Sequence, residues 1–161
     1  PPPPPRPAPV VARGVAGGPM TVHLYEYALL QVVPRPERGE SVNAGVLVYC
    51  RALDFLGAAV HLDAERVAVL DPHADVEAIG FALAALAGIT EVAAPARSDR
   101  LTDAALAALG PADGEDLGRR FRRLTAPRST VVRPGPVHTG LTADPGAEPG
   151  RLLSRLVLPL E

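Results

Sequence analysis

Eight residues with the chemistry to hold a ligand fall in two stretches far apart in the chain. Arg35, Arg38, Glu40 and Asn43 form the first, and Arg128, Ser129, Thr130 and His138 the second. A guanidinium is a planar fork of donors that suits a phosphate or a carboxylate. Such forks beside two hydroxyls and loop N–H groups would take an anionic small ligand. Asn43 lies in a strand-like run, where an amide needs partners if it is buried. His138 could act as base toward the hydroxyl of Ser129 or Thr139, the pairing used in nucleophilic catalysis. No G-x-S-x-G elbow and no recognisable orienting acid accompany it. Each feature also has a plain structural reading. Arg35, Glu37, Arg38 and Glu40 fit a hairpin tip with internal ion pairs, Ser129 and Thr130 a turn that satisfies its own backbone, and His138 a surface histidine.

Arg119, Arg120, Arg122 and Arg123 crowd four positive charges around Phe121. They read as one solvated helix face, and less well as a nucleic-acid patch. The patch lacks interleaved aromatic residues, and a net charge of −2 gives the chain no field to draw in a polyanion.

Composition removes other chemistries. Every basic residue is Arg and none is Lys, which excludes a Schiff base and a phosphate-loop lysine. Cys50 is the only cysteine, so neither an intramolecular disulfide nor a cysteine-rich zinc site can form. His23, His61 and His73 lack metal-ligand spacing, and no GxGxxG or Walker pattern occurs in the folded part. Neither a metal nor a cofactor is therefore expected. No signal peptide is visible, and the longest apolar run, Ala78 to Ile89, is short for a membrane span. The reading is a cytoplasmic protein that does not enter the membrane.

The elements that must position these residues follow from pattern. Residues 1–20 are proline-rich, and proline fixes φ and lacks an N–H, so a disordered leader without a ladder is expected. Residues 21–161 then form one domain. Leu24 to Val33 is strand-like. Pro34 to Gly39 is a turn. In Ser41 to Arg51 the residues Val42, Ala44, Val46, Val48 and Cys50 alternate onto one face, while Asn43, Gly45, Leu47 and Tyr49 take the other. Residues 55–62 make a third strand, and short connections imply an antiparallel meander. Asp63 caps a helix through Leu70, and Asp75 caps a second carrying Ile79, Leu83 and Leu86 at helical spacing. A further helix starts near Thr102, with Leu101 and Leu106 as a staple. Glu115 to Leu124 is a short amphipathic helix. Two strand pieces, 129–133 and 137–141, flank a Pro-Gly-Pro turn, and a last helix spans about 147–157. Strands, then helices, then a late strand make an α+β domain: an antiparallel three-strand meander plus a late strand, packed by helices.

Three stretches together are similar to one bacterial family. They are YEYALLQVVPRPERGESVNAGVLVYCRALDFLGAAVHLD (25–63), LDPHADVEAI (70–79) and RFRRLTAPRSTVVRPGPVHTGL (120–141). They resemble the uncharacterised family called domain of unknown function 3037, over most of residues 25–157. Residues 91–114 depart from that pattern and read as an insertion. The resemblance implies no activity; it does imply a neighbourhood with HipA-like kinases, and so a kinase as protein partner. The leading reading is a small non-catalytic binding or regulatory protein. The alternatives are a small enzyme acting on a phosphorylated or nucleotide substrate and, third, a nucleic-acid binder. Convergence of Arg38, Asn43, Arg128 and His138 around one concavity would favour the enzyme, and an apolar patch the partner.

Overall fold

The structure, a computed structural model, describes residues 12–13, 19–90 and 115–161. The helix expected near Thr102, its staple and the expected insertion at 91–114 lie outside the described residues, as does most of the leader. Two leader segments are described: β1 (Ala12–Arg13) and β2 (Pro19–Met20) pair antiparallel as a sheet of their own. A ladder was not expected there. Ala12, Arg13 and Met20 keep their N–H groups, which makes so short a pairing feasible among the prolines.

The domain is α+β, built on an antiparallel sheet of four strands in the order β5-β4-β3-β6. The strands β3 (His23–Val32), β4 (Val42–Cys50) and β5 (Phe55–Val60) form the expected meander, and β6 (Val132–Thr142) returns beside β3. Between β5 and β6 run α1 (Ala64–Leu70), α2 (Val76–Thr90) and α3 (Leu117–Leu124), which cover one face. A 3-10 turn (Pro145–Ala147) leads into α4 (Glu148–Leu156), which lies on the opposite face. The helices α1, α2 and α3 start where acidic caps stand. Asp63 accepts from Arg66 N at 3.1 Å, Asp75 from Ala78 N at 3.0 Å and Asp116 from Arg119 N at 2.7 Å. Each satisfies an N–H that the first helical turn leaves without a partner.

The face assignment of β4 needs correction. Leu30 pairs with Gly45 but the next residue, Gln31, pairs with Asn43, so Ala44 is an extra residue in a bulge. Its carbonyl accepts from His61 N at 2.8 Å. The extra residue reverses the alternation. Val46, Val48 and Cys50 face α4 with Tyr25 and Leu152, whereas Val42, Ala44 and Leu47 join Leu30, Leu83 and Phe121 beneath α1–α3. Both faces of β4 are buried: Val46 and Leu47 are each 0% exposed. The sheet is thus the middle of three layers, and helices cover both faces of β4.

The expected Pro-Gly-Pro turn does not form. Pro134, Gly135 and Pro136 lie inside a single strand of 11 residues, at an irregularity where pairing passes from Ala28↔Val137 to Leu30↔Pro134. Strand β6 is an edge, and an edge tolerates residues that have no N–H to give.

Candidate functional site

The turn between β3 and β4 is closed by Arg35 O, which accepts from Arg38 N at 3.0 Å and Gly39 N at 3.2 Å. Gly39 takes φ 73°, open to glycine at little cost. Arg35 reaches across to the C-cap of α1, with Nε 3.4 Å from Asp71 Oδ2, and its Nη1 lies 3.7 Å from Glu37. Asp71 is largely buried and also accepts from His73 N at 3.0 Å, so this pair ties the hairpin tip to the α1–α2 turn. Arg38 and Glu40 pair with each other at 2.7 Å in solvent. The hydrogen bond to Glu40 holds the Arg38 guanidinium above its ordinary pKa. These are the ion pairs of a solvated tip.

The second stretch is spent differently. Arg128 donates Nη2 to Arg123 O at 2.9 Å, at the end of α3, where backbone carbonyls lack helical partners. Thr130 Oγ1 donates to Val132 O at 2.6 Å, and Ser129 is exposed beside it. Asn43 is reversed by the bulge onto the α4 face, where its Nδ2 donates to Leu156 O at 3.2 Å. His138 is exposed on the same side, its ring 5.2 Å from that of Tyr27. Asn43 and His138 therefore lie on one side of the sheet and Arg128 on the other. The eight residues do not gather around one concavity, so the convergence that would favour an enzyme is not found. The reason is the bulge at Ala44, which turns Asn43 through the sheet.

The arginine face of α3 is also corrected. Arg120 is buried; its Nη1 donates to Ile89 O at 3.3 Å and its Nε lies 3.7 Å from Glu115. Arg123 Nε meets Glu115 at 2.8 Å, and Arg122 Nη2 meets both carboxylate oxygens of Glu26 at 2.8 Å. The hydrogen bond from Arg123 holds the Glu115 carboxyl below the ordinary range against the opposing effect of burial. Only Arg119 of the four has no acidic partner among the described residues, so little free positive charge is left for a polyanion.

A concavity does exist, and sequence reasoning did not find it. It is a cleft of about 430 Å³ between α2, the segment 130–132 and Pro34. Ala78, Ala82, Ala85 and Ile89 of α2 form one wall, and Val131 and Val132 the other. Among the described residues, polar side chains reach it only from Asp75, Arg128 and Thr130. Two of the eight expected residues, Arg128 and Thr130, thus border the cleft. A second group that went unnoticed lies under α4. Glu148 is 2% exposed and accepts from Thr142 Oγ1 at 2.7 Å and from Arg151 at 2.5 Å. Burial first, and then the charge of Glu148, push the Tyr25 hydroxyl up from its ordinary pKa. Glutamate in a first helical turn is so common that nothing in the sequence sets this one apart.

Among the described residues no helix is long and apolar enough to cross a membrane, and no cluster of His, Cys, Asp and Glu could hold a metal ion. A family model described as protein of unknown function DUF3037 matches residues 27–157. No curated protein and no solved structure matches the chain.

Proposed function

The chain belongs to the DUF3037 family of proteins of unknown function, and we propose that it is a non-catalytic binding module whose α2 cleft receives the apolar face of an amphipathic helix of a protein partner. The observation that carries this reading is the make-up of the cleft: among the described residues its walls are aliphatic, with charge at the rim from Asp75 and Arg128. Ala78, Ala82, Ala85 and Ile89 recur at helical spacing along one flank of α2. Small side chains in such a row let a second helix approach to the ~8–10 Å axis separation of ordinary helix packing. An amphipathic helix in an apolar groove is a common mode of peptide recognition, and the rim charges would select its polar flank. Burying aliphatic surface supplies the affinity, at roughly 25 cal/mol per Å² before the cost of ordering the partner.

The HipA-like kinase implied by the family resemblance is the partner to test first. The full chain would be titrated with such a kinase by calorimetry. Ala82→Arg and Ala85→Glu each fill the cleft and should weaken binding by at least about tenfold, or ~1.4 kcal/mol. Arg38→Ala, at the solvated tip, should leave it unchanged. Absence of any binding would remove the kinase as partner. Binding that both cleft variants leave intact would remove the cleft.

A further inference from the structure

Among the described residues the second half of β6 is an undefended sheet edge. Among the described residues β6 pairs with β3 alone. Pro134 and Pro136 blunt its first half, as prolines do on natural edges. From Val137 to Thr142 the strand has no proline, no bulge and no Asp, Glu or Arg, and its pairing with β3 is regular throughout. On the face shared with α3, Leu24 (60% exposed) of β3 stands beside Leu141 (57%), and Val137 (38%) follows along the same strand. A flat apolar edge of this kind is a pairing template, and natural proteins either protect it or use it.

We propose that this edge is the interface with a second copy of the chain, β6 pairing antiparallel with β6 across a two-fold axis at Thr139. The sequence of the edge is self-complementary about that point. Thr139 meets its own counterpart, and Val137 of each copy stands opposite Leu141 of the other, with Leu24 alongside. On the α4 face His138 falls opposite Gly140. The Tyr25 ring covers Gly140, where a Cβ would lie 2.6 Å from it, so the imidazole of the second copy would rest against that ring. No like charges oppose one another, and a two-fold interface closes at two copies. Joining two sheets of four strands makes one continuous sheet whose exposed edges are the two β5 strands.

With the two-fold at Thr139 the paired stretch runs from Val137 to Leu141, five residues that span ~17 Å of edge. Pairing along that length covers less than the ~800 Å² per partner of a standard stable interface. The dimer is therefore concentration-dependent. The surface is distinct from the α2 cleft, so its test does not depend on the cleft.

Sedimentation velocity of the full chain between ~10 μM and ~1 mM, the range suited to so small an interface, should give a mass rising from one chain toward two. Val137→Lys/Leu141→Lys puts charge on exposed positions and should hold the protein monomeric with its unfolding midpoint unchanged. Thr139→Cys should cross-link to a covalent dimer under mild oxidation, whereas Ala143→Cys, beyond the strand, should not. A wild-type chain that stays monomeric over the whole range overturns the proposal. So does a dimer that persists in the double-lysine variant, or an edge that binds a foreign strand peptide while the chain itself remains monomeric.

Discussion

Val46 and Leu47 are neighbours in sequence and belong to different cores, one under α4 and one under α1–α3. Truncating each to alanine tests that separation. Leu47→Ala removes a side chain that is 0% exposed, and such a deletion costs about 2–5 kcal/mol with its cavity included. Val46→Ala removes two methyl groups at ~0.8 kcal/mol each, plus a smaller cavity term, for about 2 kcal/mol. Either loss is a large share of a total stability of ~5–15 kcal/mol. Urea unfolding followed by far-ultraviolet circular dichroism would read each as a midpoint lowered by ~1–2 M, with the denaturant slope unchanged. The double variant is the sharper measurement. Side chains that share no partners should add to within ~0.5 kcal/mol, whereas side chains in one core couple by ~0.5–3 kcal/mol. A wild-type midpoint for either single variant would show that one face of β4 is open to water. Clear coupling in the double variant would show that the bulge at Ala44 does not divide the core.

Three further outcomes follow from individual side-chain contacts. The Glu115 carboxyl has a lowered folded pKa, so its contribution to stability is full above the ordinary value of 4.5 and is lost as pH falls through the lowered value; Glu115→Gln should flatten the acid limb of a plot of melting midpoint against pH, and an unchanged limb would count against the ion pair with Arg123. Asn43→Ala should cost about 0.5–1.5 kcal/mol by urea unfolding, because it leaves Leu156 O without its donor, and should not affect partner binding. Gly140→Ala places a methyl group 2.6 Å from the Tyr25 ring, and should cost about 1–3 kcal/mol together with a changed tyrosine signal in near-ultraviolet circular dichroism.

Much of the fold was legible because local chemistry agreed with the global arrangement. The caps Asp63 and Asp75 stand where helices begin, and Val42 to Cys50 forms the strand that its composition indicates. What escaped is set by tertiary context. Ala44 and Gly45 are small enough for either face of a sheet, so the alternation runs on unbroken in sequence while the register slips by one residue. Pro134 to Pro136 has the composition of a turn. Only the position of β6 at the edge of the sheet, with its outward N–H groups unneeded, lets those residues continue a strand.

The polar residues misled for a related reason. In sequence Arg128 reads as a ligand fork and Arg120 as part of a solvated face, yet helix ends claim both guanidinium groups. Helix α2 has no basic residue in its last turn, and Arg120 of α3 supplies the donor to Ile89 O instead. Arg128 does the same for Arg123 O at the end of α3. In a chain without lysine, arginine must serve the helix C-termini as well as any ligand, so its presence alone cannot mark a site. The cleft carries the opposite lesson. Its wall is built of alanines that individually signal nothing, but α2 as a whole is apolar around much of its circumference, with Ile79, Leu83 and Leu86 toward the sheet and Ala78, Ala82 and Ala85 beside them. A helix needs only a stripe to bind one sheet. The surplus apolar flank is the legible mark of the cleft, where α2 faces Pro34 and the segment 130–132.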